Sequence, residues 1–344
     1  MRILKTKEFL EQATTIIDVR SPSEYIQGHI PGAVNVPIFN DDERALVGIR
    51  YKNSGKDSAV LLGLEIVGPK MAGFVKQVRK ISLQKKIHLH CWRGGMRSKS
   101  MAWLFETSGL EVDILEDGYK AYRSYIRSDF DNPAPIIILS GMTGSGKTDV
   151  LHALEKLGEQ IIDLEGIANH KGSAFGAMGQ DPQPTNEQFE NDIAFLWQKL
   201  DFNKPVWVED ESRAIGTNSI PEPLFFQMRK APVLRIEILK EHRIVRLINE
   251  YACFEKDELE KAIIRIGKRL GGQHVKRAVQ ALEKDDFAMV ADITLDYYDK
   301  AYIDGLVNRR SSEFIQNVKV DEDNPMKTAQ TLIQLGKDVN FDLQ

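Results

Sequence analysis

Pro135-Ile136-Ile137-Ile138-Leu139-Ser140-Gly141-Met142-Thr143-Gly144-Ser145-Gly146-Lys147-Thr148 reads as an apolar strand running into a complete G-x-x-x-x-G-K-[ST] loop. Glycines let backbone N–H groups turn inward around a diphosphate, so Gly141, Thr143, Gly144, Ser145 and Gly146 are the expected cradle. Lys147 supplies a point charge, and Thr148 reaches a Mg2+ ion if one is bound. A helix is expected from Asp149 to Leu157, its positive dipole end aimed at the same anion. Strand before and helix after are the context this pattern requires, and they predict a parallel α/β sheet of the phosphate-loop type.

Working outward, Asp129-Phe130-Asp131-Asn132-Pro133-Ala134-Pro135 interrupts any regular element just before that strand. The chain is therefore divided into residues 1–132 and 133–344. Upstream, Thr15-Ile16-Ile17-Asp18-Val19 and Ile87-His88-Leu89-His90-Cys91 read as buried strands, with helices around Lys70 to Arg79 and Ser98 to Ser108. Strands alternating with helices predict a small α/β domain. Downstream, segments at 160–163, 205–209 and 233–238 supply further parallel strands, and the region from Lys240 onward is expected to be mostly helical.

The chain has 344 residues, 42% hydrophobic and 28% charged, enough for two domains that each bury a core. Met1-Arg2-Ile3-Leu4-Lys5-Thr6-Lys7 does not resemble a signal peptide, and no apolar run approaches the length of a membrane span, so a cytoplasmic protein is expected. Cys91 and Cys253 are far apart and form no Cys/His ligand cluster, which argues against a disulfide framework or a zinc site. Cys253 is expected to pack. The net charge of -4 excludes a uniformly basic surface, but a nucleic-acid partner needs only a local patch. From Asp257 to Leu270 the apolar Leu259, Ile263, Ile266 and Leu270 fall at helical spacing and leave Lys261, Arg265, Lys268 and Arg269 outside; Lys276 and Arg277 extend the charge. Such a stripe suits nucleic-acid phosphates or a solvated face equally well.

The first domain's chemistry lies in His90-Cys91-Trp92-Arg93-Gly94-Gly95-Met96-Arg97-Ser98, a cysteine at a strand end followed by a glycine-rich loop and a helix. Converging N–H groups, the helix dipole, Arg93 and Arg97 are suited to stabilise a thiolate and make Cys91 nucleophilic. His90 is given no catalytic role. In the second domain, Asp163 to Gly176 follows a strand in the position where parallel sheets present ligand loops, with His170 and Lys171 as phosphate contacts or solvated residues. Val206-Trp207-Val208-Glu209-Asp210-Glu211 has the form of a strand ending in a magnesium-side carboxylate, with Glu209 or Asp210 in that role.

Ile17-Asp18-Val19-Arg20-Ser21-Pro22-Ser23-Glu24-Tyr25 and Gly28-His29-Ile30-Pro31-Gly32-Ala33-Val34-Asn35-Val36-Pro37, together with the cysteine loop, resemble the rhodanese family over roughly the first third of the chain. The resemblance implies that Cys91 carries a chalcogen atom as a persulfide or its selenium analogue. Many rhodaneses place the loop arginine five residues after the cysteine. Arg97 is six after Cys91, a spacing shared with protein phosphatases of the Cdc25 type, and the longer loop favours a tetrahedral oxyanion such as selenophosphate or a phosphoester.

With both modules in this order the whole chain resembles the tRNA 2-selenouridine synthase family, on Cys-Trp-Arg-Gly-Gly-Met-Arg-Ser, Asp163 to Gly176, Phe189-Glu190-Asn191 and Trp207 to Gly216. That family implies replacement of sulfur by selenium in wobble 2-thiouridine of tRNA, with selenophosphate and geranyl diphosphate as co-substrates and S-geranylation as the intermediate stage. The phosphate loop would then hold a prenyl diphosphate. An ATP-coupled sulfurtransferase or kinase fusion uses the same loop, and a phosphatase or regulatory module is the third alternative.

Overall fold

The structure, a computed structural model, describes residues 1–82, 84–307 and 315–339. The chain forms two compact units, Met1–Asp129 and Phe130–Gln344.

In chain order the first unit comprises β1 (Arg2–Leu4), α1 (Thr6–Glu11), β2 (Thr15–Asp18), α2 (Pro22–Gln27), β3 (Val34–Asn35), α3 (Asp41–Val67), α4 (Met71–Ile81), β4 (Lys86–His90), α5 (Met96–Thr107), β5 (Glu111–Leu115) and α6 (Gly118–Asp129). Its five strands pair in parallel in the order β1-β5-β4-β2-β3. Ile17, Ile87, Leu89, Val112 and Ile114 from the sheet pack against Phe74 and Val78 of α4 and Met101 and Phe105 of α5. Cys91 directly follows central β4, so this sheet delivers the cysteine just beyond the carboxyl end of its middle strand, where parallel sheets place their sites.

A buried ion pair braces that end. Arg20 makes three side-chain bonds to the Asp18 carboxylate at 2.6–3.0 Å and one to Gly28 O at 2.7 Å, and its guanidinium lies 3.8 Å from the centroid of the Tyr119 ring. Burial pushes the Asp18 carboxyl up, but His90 and Arg20 outweigh it and hold it below its usual value. The start of α6 then closes on the cysteine loop: Tyr119 N–H donates to Cys91 O at 2.8 Å and Lys120 N–H to Trp92 O at 3.0 Å.

One expectation is corrected here. The stretch Asp41–Ile81 does contain a helical window long and apolar enough, by length and composition, to cross a membrane, and little of it is buried. The glycines hid it from the sequence reading. α3 breaks its helical geometry at Gly55, and a 3-10 turn at Gly68–Lys70 separates α3 from α4.

The second unit contains β6 (Ile136–Gly141), α7 (Lys147–Lys156), β7 (Gln160–Ile162), α8 (Leu164–Ala168), α9 (Asn186–Trp197), β8 (Val206–Glu209), the hairpin β9 (Ala214–Ile215) and β10 (Asn218–Ser219), α10 (Glu222–Lys230), β11 (Val233–Glu237), α11 (Lys240–Tyr251), α12 (Lys256–Arg265), α13 (Gly267–Leu270), α14 (Gly272–Glu283), α15 (Phe287–Val307), β12 (Ile315–Lys319) and α16 (Pro325–Gly336). Its main sheet is parallel, in the order β12-β11-β6-β8-β7, with the fully buried β6 at the centre. α7 and α16 cover one face through Val150, Leu151, Leu154, Ala329 and Leu332, packed on Ile137, Leu139 and Trp207.

The region after Lys240 is helical as expected except for β12, which returns to the sheet beside β11. Five residues with one buried side chain, Val318, are too brief a pattern to stand out among helices. Leu259, Ile263, Ile266 and Leu270 do form one face of α12 and α13, buried against α14 and α15. Cys253, expected to pack, is exposed instead, because α11 ends at Tyr251 and Phe254 takes the inward place.

Gly118 is the residue the first unit tolerates least in altered form. At φ +62° it sits where a Cβ would fall far inside contact distance of Cys91 O and Gly94 N. Gly118→Ala is expected to destabilise the unit by about 2–4 kcal/mol, the sum of left-handed strain and overpacking. Denaturant unfolding of the full chain checks this, and a change below about 0.5 kcal/mol would contradict the tight approach of α6 to the loop.

Candidate functional site

Each unit carries one candidate site. In the first, Cys91 is buried, with its Sγ 3.2 Å from Ser98 Oγ, which itself donates to Gly95 O at 3.0 Å. Gly94 turns the loop at φ +61°, with Asp117 N and Leu115 O only 3.0 Å from where a Cβ would stand. With the Cys91 and Trp92 carbonyls engaged by α6, the start of the loop is fixed. Arg93 is exposed.

Arg97, expected to face an anion, is held by a carboxylate: its Nη1 donates to Glu24 Oε2 at 2.6 Å and its Nη2 to Glu24 Oε1 at 3.2 Å. Glu24 caps α2 by accepting from Ser21 N–H at 3.0 Å. Burial pushes the Glu24 carboxyl up, but Arg97 and the Ser21 N–H prevail and hold it below its usual value. Glu24 is therefore an ionised counter-charge at neutral pH and a poor proton donor. His90 is wholly buried, and burial pushes its pKa down against the pull of Asp18.

In the second unit the glycine-rich loop leaves β6 and enters α7 at Lys147. Gly144 and Gly146 both take φ +76°, and a Cβ on Gly146 would strike the Arg246 guanidinium. Arg243 braces the loop from α11, donating to Thr143 O at 3.2 Å while paired two-pronged with Asp299 at 2.8 and 2.7 Å. Arg246 pairs with Asp149 and Asp323. The loop walls a cavity of about 1020 Å³ that also takes in Glu165, Glu211, Tyr297, Tyr302 and Arg269.

Lys147 lies among carboxylates. Its Nζ is 3.4 Å from Glu165 Oε1 and 3.5 Å from Glu211 Oε1, and Thr148 Oγ1 donates to Glu165 Oε2 at 3.2 Å. One oxygen each from Glu165, Glu209 and Glu211 fall within 4.8 Å of one another, and both Glu209 oxygens are buried without a hydrogen-bond partner among the described residues. Burial acts to lower the Lys147 ammonium's pKa, but Glu165, Glu211 and Glu209 hold it well above its usual value. Burial and the charge of Glu165 push Glu209 well above the carboxylate range, and burial pushes Glu211 up to about 8. Glu165 is raised by burial yet ends lowered, through Lys147 and its hydrogen bonds. Three carboxylates and an orphaned buried pair of oxygens form a group that could hold a cation.

Of the residues singled out in the sequence, Glu209 belongs to this cluster. Asp210 lies on the cavity wall and accepts from Ser140 Oγ at 2.7 Å, while Ser140 also meets Tyr302. Lys171 lines the cavity but is paired with Glu250. His170 lies off the wall: its Nδ1 accepts from Gly172 N–H at 3.2 Å and its ring fills the space beside Gly176 and Gly216. Glu165 and Glu211 were contained in the quoted segments without being distinguished, because only the fold brings them to Lys147. Arg265, Lys268, Arg269, Lys276 and Arg277 are all exposed, and Arg269 alone among them lines the cavity.

A second, apolar pocket adjoins this cavity. It shares Thr143, Ser173, Leu247, Tyr251 and Tyr298 with the larger space and continues between α11, α12 and α15 to Phe175, Leu259, Phe287, Val290 and Ala291.

A parallel-sheet unit with a buried cysteine loop, followed by a second parallel-sheet unit with a glycine-rich loop and a lysine among carboxylates, defines a rhodanese-like domain joined to an ATPase-like domain. Residues 4–125 match the rhodanese-like domain family and residues 134–324 the tRNA 2-selenouridine synthase AAA domain family. The chain is 34% identical to the tRNA 2-selenouridine synthase of Bdellovibrio bacteriovorus, with 92% of this chain and 95% of that protein covered. Proteins of the same name from Shewanella sediminis, 38% identical over 78% of each chain, and Nitrosomonas europaea, 33% identical over 86% of this chain and 90% of that one, are also similar. The chain belongs to the tRNA 2-selenouridine synthase family.

The acidic cluster has a measurable signature. A carboxyl at about 8 in the folded chain and near 4.5 when unfolded retains its proton on folding, so its contribution is fully present below 4.5 and declines as pH rises through 8. Without divalent cations, Glu211→Gln is expected to match the wild type at pH 4.5 and to unfold at a progressively higher temperature than it toward pH 8. Added Mg2+ should narrow the gap by stabilising the wild type. A gap independent of pH would contradict the raised carboxyl.

Proposed function

We propose that this protein replaces sulfur by selenium in wobble 2-thiouridine of tRNA, with geranyl diphosphate and selenophosphate as co-substrates. The observation that carries the reading is the continuity of a phosphate-loop cavity with an apolar pocket through five shared residues. A prenyl diphosphate has a head for one and a tail for the other, whereas the adenosine of ATP would leave an apolar pocket unfilled.

In this scheme the thiocarbonyl sulfur attacks C1 of geranyl diphosphate. The C1–O bond breaks, and diphosphate leaves with the bonding pair, its charge met by Lys147 and the N–H groups around Gly144 and Gly146. A divalent cation held by Glu165, Glu209 and Glu211 would supply further positive charge at the diphosphate. Selenium of selenophosphate then adds to C2 of the S-alkylated ring, the C2–S bond breaks, and geranylthiolate departs and takes up a proton. Last, the Cys91 thiolate takes the phosphoryl group from selenium, and water releases it as phosphate. Selenium remains at the selenide level throughout, so no oxidant is required.

Arg97 exchanges Glu24 for the oxyanion, a substitution of one two-pronged partner for another. Glu24 stays ionised and supplies no proton to a leaving alkoxide, which disfavours phosphoester hydrolysis. Selenide needs no such proton. The exposed Arg265, Lys268, Arg269, Lys276 and Arg277 would meet tRNA phosphates, with Arg269 where the nucleotide enters the cavity.

The test incubates the full-length protein with bulk tRNA, selenophosphate and geranyl diphosphate, with and without ATP, followed by nucleoside mass spectrometry. Cys91→Ser is expected to stall after geranylthiolate has left and to accumulate the Se-phosphorylated nucleoside in place of selenouridine. Lys147→Ala should lose geranylation and bind geranyl diphosphate about one to two decades more weakly. Selenouridine that forms only with ATP, or in full yield from Cys91→Ser, would refute the scheme.

The basic stripe is tested separately by replacing Arg265, Lys268 and Arg269 with alanine. Each lost phosphate contact should reduce the log-log salt slope of tRNA binding by about 0.7–0.9. An unchanged slope would leave the stripe as a solvated face.

A further inference from the structure

We infer that Arg44 is a positioning residue for the Cys91 site: when an oxyanion takes the Arg97 guanidinium, the Glu24 carboxylate that it displaces passes to Arg44. This rests on the reading above that Arg97 exchanges Glu24 for an oxyanion, and adds the place to which the carboxylate goes.

Glu24 lies between two arginines. Arg97 holds it two-pronged at 2.6 and 3.2 Å, and Arg44 Nε stands 3.9 Å from Glu24 Oε2. That gap is too long for a hydrogen bond, and Arg44 Nε is buried with no hydrogen-bond partner among the described residues. A buried N–H without an acceptor is costly, so this donor is poised for a carboxylate that Arg97 holds while the site has no anion. Gly48, one turn further along α3, leaves the guanidinium its room: a Cβ there would stand 3.1 Å from Arg44 Nη1.

The frame around the three residues is fixed. α3 is fastened to α2 at its first residue, where the Asp41 carboxylate accepts from Ser23 N–H at 3.0 Å and from Ser23 Oγ at 2.6 Å. Asn40 and Glu43 cap α3 reciprocally at 2.8 and 2.9 Å. Ser21 N–H, which donates to the same Glu24 Oε2, holds that oxygen close to both arginines. Bringing it from 3.9 Å to about 2.9 Å of Arg44 is a shift of about 1 Å, within reach of side-chain torsions. Without the shift, the freed carboxylate would stay beside the incoming anion, and the two like charges would repel. The handover leaves each anion with a guanidinium of its own.

Calorimetric titration of the full-length protein with monothiophosphate, a tetrahedral oxyanion, tests this; the binding lost in Arg97→Ala is the part that belongs to this site. For that part, Arg44→Met is expected to weaken binding about tenfold, and Arg44→Lys, which keeps the charge, by no more than about threefold. Glu24→Gln removes the competing charge and should tighten binding at least about threefold. In the Glu24→Gln background, Arg44→Met should then cost less than about twofold, because no carboxylate remains to be handed over. An arginine that merely attracted or touched the anion would weaken binding equally in both backgrounds, and that result overturns the handover. So does an Arg44→Met protein that binds as the wild type does, or an Arg44→Lys protein as weak as Arg44→Met. If Arg97→Ala binds monothiophosphate unchanged, the oxyanion reading of Arg97 itself falls.

Discussion

Lys147 is the only cation set directly among Glu165, Glu209 and Glu211 within the described residues, and the second unit is organised around that imbalance. Like charges at such separations cannot all be ionised in a buried site, so one carboxylate pairs with the ammonium while the others retain protons. The three come from different elements: Glu165 from α8, Glu209 from the end of β8, and Glu211 from the segment after it. Gly172, at φ +65°, allows a further loop to pass 2.7 Å from Glu211 Oε2 by the measure of an added Cβ. A larger residue there would push the carboxylates away from the lysine. Because α7 begins at Lys147, this cluster meets the helix at its first residue, directly after Gly146.

The first unit reaches a similar end by backbone contacts. Its cysteine loop is held by carbonyls, through the first N–H groups of α6, where Arg20, paired with Asp18, lies over the ring of Tyr119. What remains adjustable is the guanidinium of Arg97, tied to a carboxylate instead of to the scaffold. Both sites hold a basic group against an internal acid, so neither presents an unpaired buried charge, whose desolvation would be costly.

Features with a local physical demand were legible in the sequence. Gly144 and Gly146 must take positive φ for the loop to close, and that requirement shows as a fixed spacing before Lys147. The cysteine loop and its resemblance to rhodaneses were readable for the same reason. Partnerships made by the fold were not. Glu24 was visible in the signature, yet nothing local ties it to Arg97, 73 residues away. Glu165 and Glu211 looked like other acids at strand ends. The apolar pocket has no sequence pattern of its own, because α11 and α15 contribute a few residues each and α12 only Leu259, from faces that read as ordinary core. α3 escaped notice since Ala59 is its one buried residue and glycines interrupt it, leaving no clean stripe of period 3.6.

The edge strand β12 has a consequence for how the protein is made. Val233 pairs with Ile315, so β11 waits for a partner that emerges only after the intervening helices have been synthesised. Such a distant pairing has a large closure entropy and forms slowly. β6, β7, β8 and β11 precede this interval, so the glycine-rich loop and its acids can assemble on four strands while the sheet still has an open edge. An unpaired edge is a template for association with other chains. Truncation before Ile315, or a pause in translation there, would therefore leave a chain with its glycine-rich loop built and the more apolar β11, in place of the largely exposed β12, as its unpaired edge.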